Sequence, residues 1–192
     1  MKTIKCNISN EIVIKNSRFI TLLYKIDKSS NILEILEEVK KQFPKATHYC
    51  YAYRTETHEK SSDDGEPGGT AGLPMLNVLI KEKVINVLAI TIRYFGGIKL
   101  GAGGLVRAYT KSLTEALALK ELVSLEKGYL IKLTTDYSKQ KILDYTLKDI
   151  NIIKKDFAKE VIYLIEISKE KLGLIKDYDY EIIEDKLIEV LL

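Results

Sequence analysis

The sequence reads as an α+β protein in two domains, and three features say so. A near-continuous apolar run from Val84 to Phe95 has the length and β-branched content of a strand buried on both faces. That run meets Gly96-Gly97, passes Ile98-Lys99-Leu100, meets Gly101-Ala102-Gly103-Gly104 and opens an amphipathic helix reaching about Leu119. After Glu126 the texture changes to short units in the order strand, helix, strand, strand, helix, strand, the layout of a ferredoxin-like βαββαβ domain. The domains expected are therefore 1–126 and 127–192.

Taken in order, Cys6–Lys15 and Arg18–Ile26 carry β-branched and aromatic residues around the turn Lys15-Asn16-Ser17, a hairpin signature. Ser29 or Ser30 is placed to cap a helix whose stripe is Ile32, Leu33, Leu36, Val39 and Lys40. Phe43-Pro44 ends it, because the residue before proline avoids helical torsions. Thr47–Arg54 alternates, with His48, Cys50, Ala52 and Arg54 on one face and Thr47, Tyr49, Tyr51 and Tyr53 on the other. Glu56–Gly72 reads as one long polar loop, and a loop of that length is commonly functional. A short helix follows from Leu73, tolerating Pro74 in its first turn.

In the helix from Ala102 the apolar side is Leu105, Val106, Tyr109, Leu113, Ala116 and Leu117, with Arg107 and Lys111 one turn apart on the outer face. In the second half, Tyr129–Thr135 reads as a strand, Tyr137–Lys148 as a helix, and Ile150–Phe157 with Val161–Ser168 as an antiparallel pair. Lys169–Tyr178 then reads as a helix and Ile182–Leu191 as the last strand.

Composition bounds the function. At 192 residues with 46% hydrophobic and 30% charged residues, the chain has ample material for buried cores. Up to Glu126 there are 18 Lys/Arg against 14 Asp/Glu, and beyond it 12 against 13, so any affinity for polyanions belongs to the first part. No run approaches the ~18 apolar residues of a membrane span. Met1-Lys2-Thr3-Ile4-Lys5 lacks the features of a signal peptide. Two cysteines, Cys6 and Cys50, make no disulfide framework. A cytoplasmic protein without a membrane partner is the expectation.

Nine of the eleven glycines fall between Gly65 and Gly104, which locates the functional neighbourhood. Ser17-Arg18-Phe19-Ile20, His48 with Cys50, Ala52 and Arg54, the run SDDGEPGGTAG from Ser62 to Gly72, and RYFGGIKLGAGGLVRAY from Arg93 to Tyr109 together resemble the YigZ/IMPACT family over the first ~115 positions. The resemblance implies a first domain similar to the second domain of the fifth small-subunit ribosomal protein. It implies a second, ferredoxin-like domain similar to a C-terminal domain of elongation factor G. Eukaryotic relatives regulate translation by binding an activator of a starvation-responsive kinase. They carry a different second domain, so that partner does not transfer to this chain.

The residues themselves suggest an anion seat. Backbone N–H groups of Gly96, Gly97, Gly101, Gly103 and Gly104, flanked by Arg54, Arg93, Lys99, Arg107 and Lys111, suit a phosphate or an acidic partner. The loop is neither a Walker motif, since Ala102-Gly103 replace Lys-Ser/Thr, nor GxGxxG, since Val106 stands where the third glycine belongs. Packing alone is the competing explanation of those glycines.

Asp63, Asp64 and Glu66 offer three carboxylates, suited either to Mg²⁺ or to holding the loop down by pairing Asp63 or Asp64 with Arg54, Arg93 or Arg107. Structural pairing is the favoured reading. His48, Cys50, His58 and Cys6 lack zinc spacing, and a core-facing Cys50 with a hydrogen-bonded His48 is favoured over a nucleophile pair. Tyr49, Tyr51, Tyr53, Tyr94, Tyr129, Tyr137 and Tyr163 are taken as core rather than as base-stacking rings.

The sequence thus points to a non-enzymatic factor binding nucleic acid, the ribosome or a translation-associated protein, with no catalytic residues and no required cofactor. The alternative is a nucleotide-binding enzyme with Mg²⁺ on the acidic loop and Lys99 on a phosphate. A pure protein-interaction module is the third option.

Overall fold

The computed structural model describes residues 1–27, 30–119 and 122–190. The chain divides into two compact units, Met1–Val123 and Ser124–Leu192, both mixing helix and sheet.

In the first unit, β2 (Ile8–Ile14) and β3 (Ser17–Lys25) form the expected hairpin. Lys15 and Asn16 both take positive φ (45° and 63°), the turn that matches strand twist. The sheet order is β2-β3-β6-β4-β5, antiparallel throughout, with β4 at His48–Arg54, β5 at Glu59–Ser62 and β6 at Val87–Tyr94. The short β1 (Lys2–Ile4) joins this unit through a parallel bridge from Lys2 to Val84.

β6 lies in the middle, and that explains its unbroken apolar run. Val87 and Ala89 face a core completed by α2 (Gly72–Lys81) and α3 (Ala102–Ala118), through Met75, Leu79, Leu105, Tyr109 and Leu113. Leu88, Ile90 and Ile92 face the opposite core under α1 (Ile32–Gln42), with Leu36 and Val39. Phe95, the last residue of the expected run, is already exposed.

Tyr49, Tyr51, Tyr53 and Tyr94 pack, partly buried, against the α1 core. A buried hydroxyl chain crosses to α3: Thr21 Oγ1 lies 2.8 Å from Thr91 Oγ1 and 2.6 Å from Ser112 Oγ. It satisfies three polar groups that a dry interface would otherwise leave without partners.

Three expectations change. The cap of α1 is Asn31, whose Oδ1 accepts from the amides of Leu33 and Glu34; Ser30 instead accepts from the Asp27 amide, and Ser29 lies outside the described residues. The polar loop after Arg54 contains an edge strand, β5, whose sequence Glu-Lys-Ser-Ser has no apolar alternation to announce it. Val106 is exposed rather than part of the buried side of α3.

The second unit comprises β7 (Leu122–Thr135), α4 (Gln140–Thr146), β8 (Asn151–Phe157), β9 (Val161–Ser168), a 3₁₀ helix (Lys169–Ile175) and β10 (Asp179–Val190). The strands lie in the order β10-β7-β9-β8, each pair antiparallel. Ile131, Leu133, Tyr163, Ile165 and Ile167 pack with Leu143 of α4, Leu147 at its C-cap and Ile175 of the 3₁₀ helix. Tyr129 packs against this core while Tyr137 stays exposed, stacked at 6.5 Å on Phe157.

The helix expected at Tyr137–Lys148 is shorter because Asp136–Lys139 form a turn, and the one expected at Lys169–Tyr178 is 3₁₀ and ends at Ile175. β10 begins earlier than Ile182, at Asp179, and Leu191 lies outside the described residues. β7 is longer than expected because Gly128 does not break it. A Cβ there would stand 2.3 Å from the Ile167 carbonyl oxygen and 2.4 Å from Ile188 Cγ1. Glycine permits the close approach of three strands. No helix among the described residues is long and apolar enough to cross a membrane.

Gly128→Ala therefore overpacks the second unit by about 1–3 kcal/mol or more. Hydrogen exchange should show faster amide exchange in β7, β9 and β10 with β3 and β6 unchanged; undisturbed protection in β9 would refute the close-approach reading.

Candidate functional site

Two signature runs meet at the end of the first sheet where β4 begins and β6 ends. The register pairs His48 with Arg93 and Arg18 with Tyr94, so both runs and the β2–β3 turn arrive at one corner. At its centre is a buried ion pair. Arg93 Nη1 donates to Glu66 Oε1 at 2.6 Å, with side-chain exposures of 6% and 3%. Tyr109 of α3 donates its hydroxyl to the same carboxylate oxygen at 2.8 Å, and His48 Nε2 stands 3.8 Å from Glu66 Oε2. Arg93 also reaches Ser17 Oγ at 3.4 Å. Among the described residues its Nε has no hydrogen-bond partner; the guanidinium lies over Phe19 (5.4 Å) and Phe95 (5.5 Å).

The rest of the acidic run is held by backbone groups. Asp63 accepts from the amides of Gly69 (2.8 Å), Ala71 (2.9 Å) and Gly72 (2.8 Å), which closes the loop on itself and supplies acceptors at the start of α2. Burial raises the Asp63 carboxyl, but the three amide donations outweigh it and hold it below the ordinary carboxylate range. Asp64, at φ 43°, accepts from the Tyr49 amide at 2.6 Å, and its carbonyl oxygen lies 2.8 Å from His48 Nδ1. The loop is therefore stapled to β4 from both sides.

Cys50 is fully buried and donates to the Asp63 carbonyl at 3.0 Å, beside the Tyr109 hydroxyl at 3.3 Å. Burial pushes its thiol up to about 12, so it is not a thiolate nucleophile near neutrality. Burial and the neighbouring Cys50 and Glu66 also push the Tyr109 phenol up, keeping it a proton donor. His58 sits in the loop beside Thr57, and Cys6 is exposed elsewhere. No group of three metal-binding side chains occurs among the described residues.

The acid that pairs with arginine is thus Glu66. Asp63 and Asp64, expected to take that role, are engaged with amides, Asp63 with those of its own loop and Asp64 with that of Tyr49 on β4. Arg93, expected to be an exposed cation, is buried and neutralised. Arg54 stands at the other end of β4, six residues or about 20 Å from His48. There it donates to Glu59 at 3.2 Å and to the Val84 carbonyl oxygen at 3.5 Å. Lys111 pairs with Glu115 at 3.6 Å. Among the described residues neither Lys99 nor Arg107 has an ion-pair partner, and both are exposed.

The glycines also separate into two kinds. Gly96 is packed: a Cβ would stand 2.1 Å from the Asn16 carbonyl carbon, and its amide donates to Ser17 Oγ at 3.2 Å. Gly104 is constrained by Leu100, 3.0 Å from its Cβ position. Gly97 and Gly101, at φ 84° and 70°, have nothing within 4 Å of a Cβ position, and Gly103 meets only the tip of Arg107 at 3.7 Å. Gly101 caps α3 with no side-chain acceptor, and the first turn holds no acid. What stays open is a bare, positively polarised helix start between Lys99 and Arg107.

This corner is built from the residues by which the first domain is recognised, and residues 15–117 match the family model described as the Impact N-terminal domain. The chain belongs to the IMPACT family. The IMPACT family member YvyE of Bacillus subtilis is 40% identical over 157 residues, covering 80% of this chain and 72% of that protein. The IMPACT family member YigZ of Escherichia coli is 44% identical over 109 residues, 54% of this chain and 53% of that one. A crystal structure of a hypothetical protein aligns over 95% of this chain and 97% of its own with a TM-score of 0.62 and 30% identity. In this IMPACT family member Tyr109 is the shared hydrogen-bonding hub. The only sequence sign of that role was a phenol placed on the buried stripe of α3.

Two outcomes follow from the geometry. Glu66→Ala leaves Arg93 buried without its counter-ion and costs about 3–5 kcal/mol in urea unfolding. Glu66→Ala with Arg93→Ala should cost clearly less than the sum of the two; strict additivity would mean the pair is not coupled. Asp63 has a lowered folded-state pKa, so its stabilisation is full above the unfolded value and fades as pH falls through the folded one. Asp63→Ala should accordingly cost about 1–3 kcal/mol at neutral pH, and the gap from wild type should close on acidification; a gap constant with pH would contradict this.

Proposed function

We propose that this chain is a non-enzymatic cytoplasmic factor of translation that binds nucleic acid or a ribosome-associated partner at the open end of α3. Its binding residues are Lys99, Arg107 and the amides around Gly97, Gly101 and Gly103. Arg93, Gly96 and Gly104 support that surface from behind. The observation that carries the reading is the division among the signature residues: the buried ones satisfy one another, and those left over are bare backbone and two unpaired cations on one surface. Phosphate groups or acidic side chains are the ligands such donors suit.

Membership of the IMPACT family supports a translational role. Under this reading the first unit is similar to the second domain of the fifth small-subunit ribosomal protein. The second is ferredoxin-like, its strand order β10-β7-β9-β8 and the two helical segments on one core supporting that assignment. Functional domains 1–126 and 127–192 are the corresponding division. The nucleotide-enzyme alternative required Asp63, Asp64 or Glu66 to be available for Mg²⁺, and all three are occupied by amides or by Arg93.

Binding of single-stranded RNA and of purified ribosomes should weaken as salt rises. Lys99→Ala with Arg107→Ala should lower affinity and reduce the slope of log K against log salt by ~0.7 per cation for a single strand. Salt-independent binding, or none to RNA, DNA or ribosomes, would remove the basis for this function.

A further inference from the structure

Beside the open end of α3 runs a groove between α2 and α3, of about 340 Å³, lined by Gly69, Leu73, Pro74, Asn77, Val78, Lys81, Val106 and Thr110. Two of its walls are unusual for a helix pair that encloses a core. Leu73 is 50% exposed and Val106 36% exposed, although Pro74 and Leu105 beside them are buried. Leu73, Asn77 and Lys81 follow one another at four-residue spacing along α2, and Val106 with Thr110 does so along α3. The α2 wall spans the nine residues from Leu73 to Lys81, about 12 Å, which matches two turns of a helical ligand. Gly69 closes one end without a side chain, having nothing within 4 Å of its Cβ position.

The chemistry of the lining selects the occupant. The lining contains one cation, Lys81, and no acid; Arg107, which follows Val106 in the chain, is exposed outside the lining. Among the described residues neither Lys81 nor Arg107 has an ion-pair partner. A small molecule would need several convergent polar groups to fix its orientation, and the groove offers few. A nucleic acid would gain nothing from Leu73, Pro74, Val78 and Val106. Apolar walls with basic ends are what an amphipathic helix with acidic flanks requires.

We propose that the α2–α3 groove docks a short acidic, amphipathic helical segment of a protein partner. Two apolar side chains one turn apart would sit between Leu73 and Val106, with carboxylates reaching Lys81 and Arg107. This deepens the reading above, since it concerns a protein partner of the same factor. It shares Arg107 with the surface proposed above but not Leu73 or Val106, so substitution of Leu73 or Val106 lets the two fail separately.

The test pans a random peptide library displayed on phage against the full chain and measures a synthetic peptide of the enriched sequence by fluorescence anisotropy. Enrichment of sequences with two apolar residues three or four apart between acids supports the proposal. Leu73→Asp or Val106→Glu should then weaken the peptide by about tenfold or more. Leu73 and Val106 both contact solvent, so their substitution leaves the fold intact, and salt-dependent RNA binding should be unchanged in Leu73→Asp. No enrichment, or a basic consensus, overturns it. So does competition between the peptide and single-stranded RNA that Lys99→Ala leaves unaffected, which would make the groove an RNA contact. Self-association of the wild type that Leu73→Asp abolishes would overturn it too, by assigning the groove to a second copy.

Discussion

A buried carboxylate is costly in a protein interior unless donors reach it, and the Glu66 carboxylate accepts from Arg93 and Tyr109, with the His48 ring 3.8 Å away. The two donors and the His48 ring come from β6, α3 and β4, and the acid comes from the loop between β5 and α2. One group therefore ties four parts of the first unit together. The surrounding contacts depend on it: Tyr109 orders Cys50, Cys50 reaches the Asp63 carbonyl, and Asp63 gathers the amides that lead into α2. A loop that looks polar and mobile in sequence is anchored because it carries the one acid the arginine needs.

That anchoring decides what remains for binding. An arginine consumed by an internal pair contributes orientation rather than affinity for a partner, while a lysine or arginine without a counter-ion retains its field. The same partition applies to glycine. Gly96 is small because the β2–β3 turn lies against it, whereas Gly97, Gly101 and Gly103 are bare toward solvent. The surface that results carries amides and charge at one end of α3 and an apolar cleft along its flank. A partner offering both phosphate-like anions and an amphipathic segment would be read by two different chemistries at adjacent places.

Much of the architecture was legible because burial on two faces and on one face leave different patterns. The run Val84–Phe95 announced a central strand, and the alternation in Thr47–Arg54 correctly placed Cys50 and Ala52 opposite the tyrosines. β5 was not legible, since an edge strand of Glu-Lys-Ser-Ser buries too little to need apolar residues. The strand expected from Tyr129 runs through Gly128, which is a point of contact that depends on Ile167 and Ile188, about forty and sixty residues away. Of the expected site, Lys99, Arg107 and the open glycines lie together, Arg54 lies at the far end of its strand, and Arg93 is inside.

The amino-acid order by itself determined most of the strands and helices, which half holds the glycines, and which family the signature runs resemble. Those properties rest on local periodicity and short motifs, which the chain carries wherever it folds. Only the tertiary structure decided which charges cancel, which glycines are covered, and that Glu66 rather than Asp63 or Asp64 meets Arg93. Pairing depends on distances between segments tens of residues apart, and those distances exist only once the sheet has set its register.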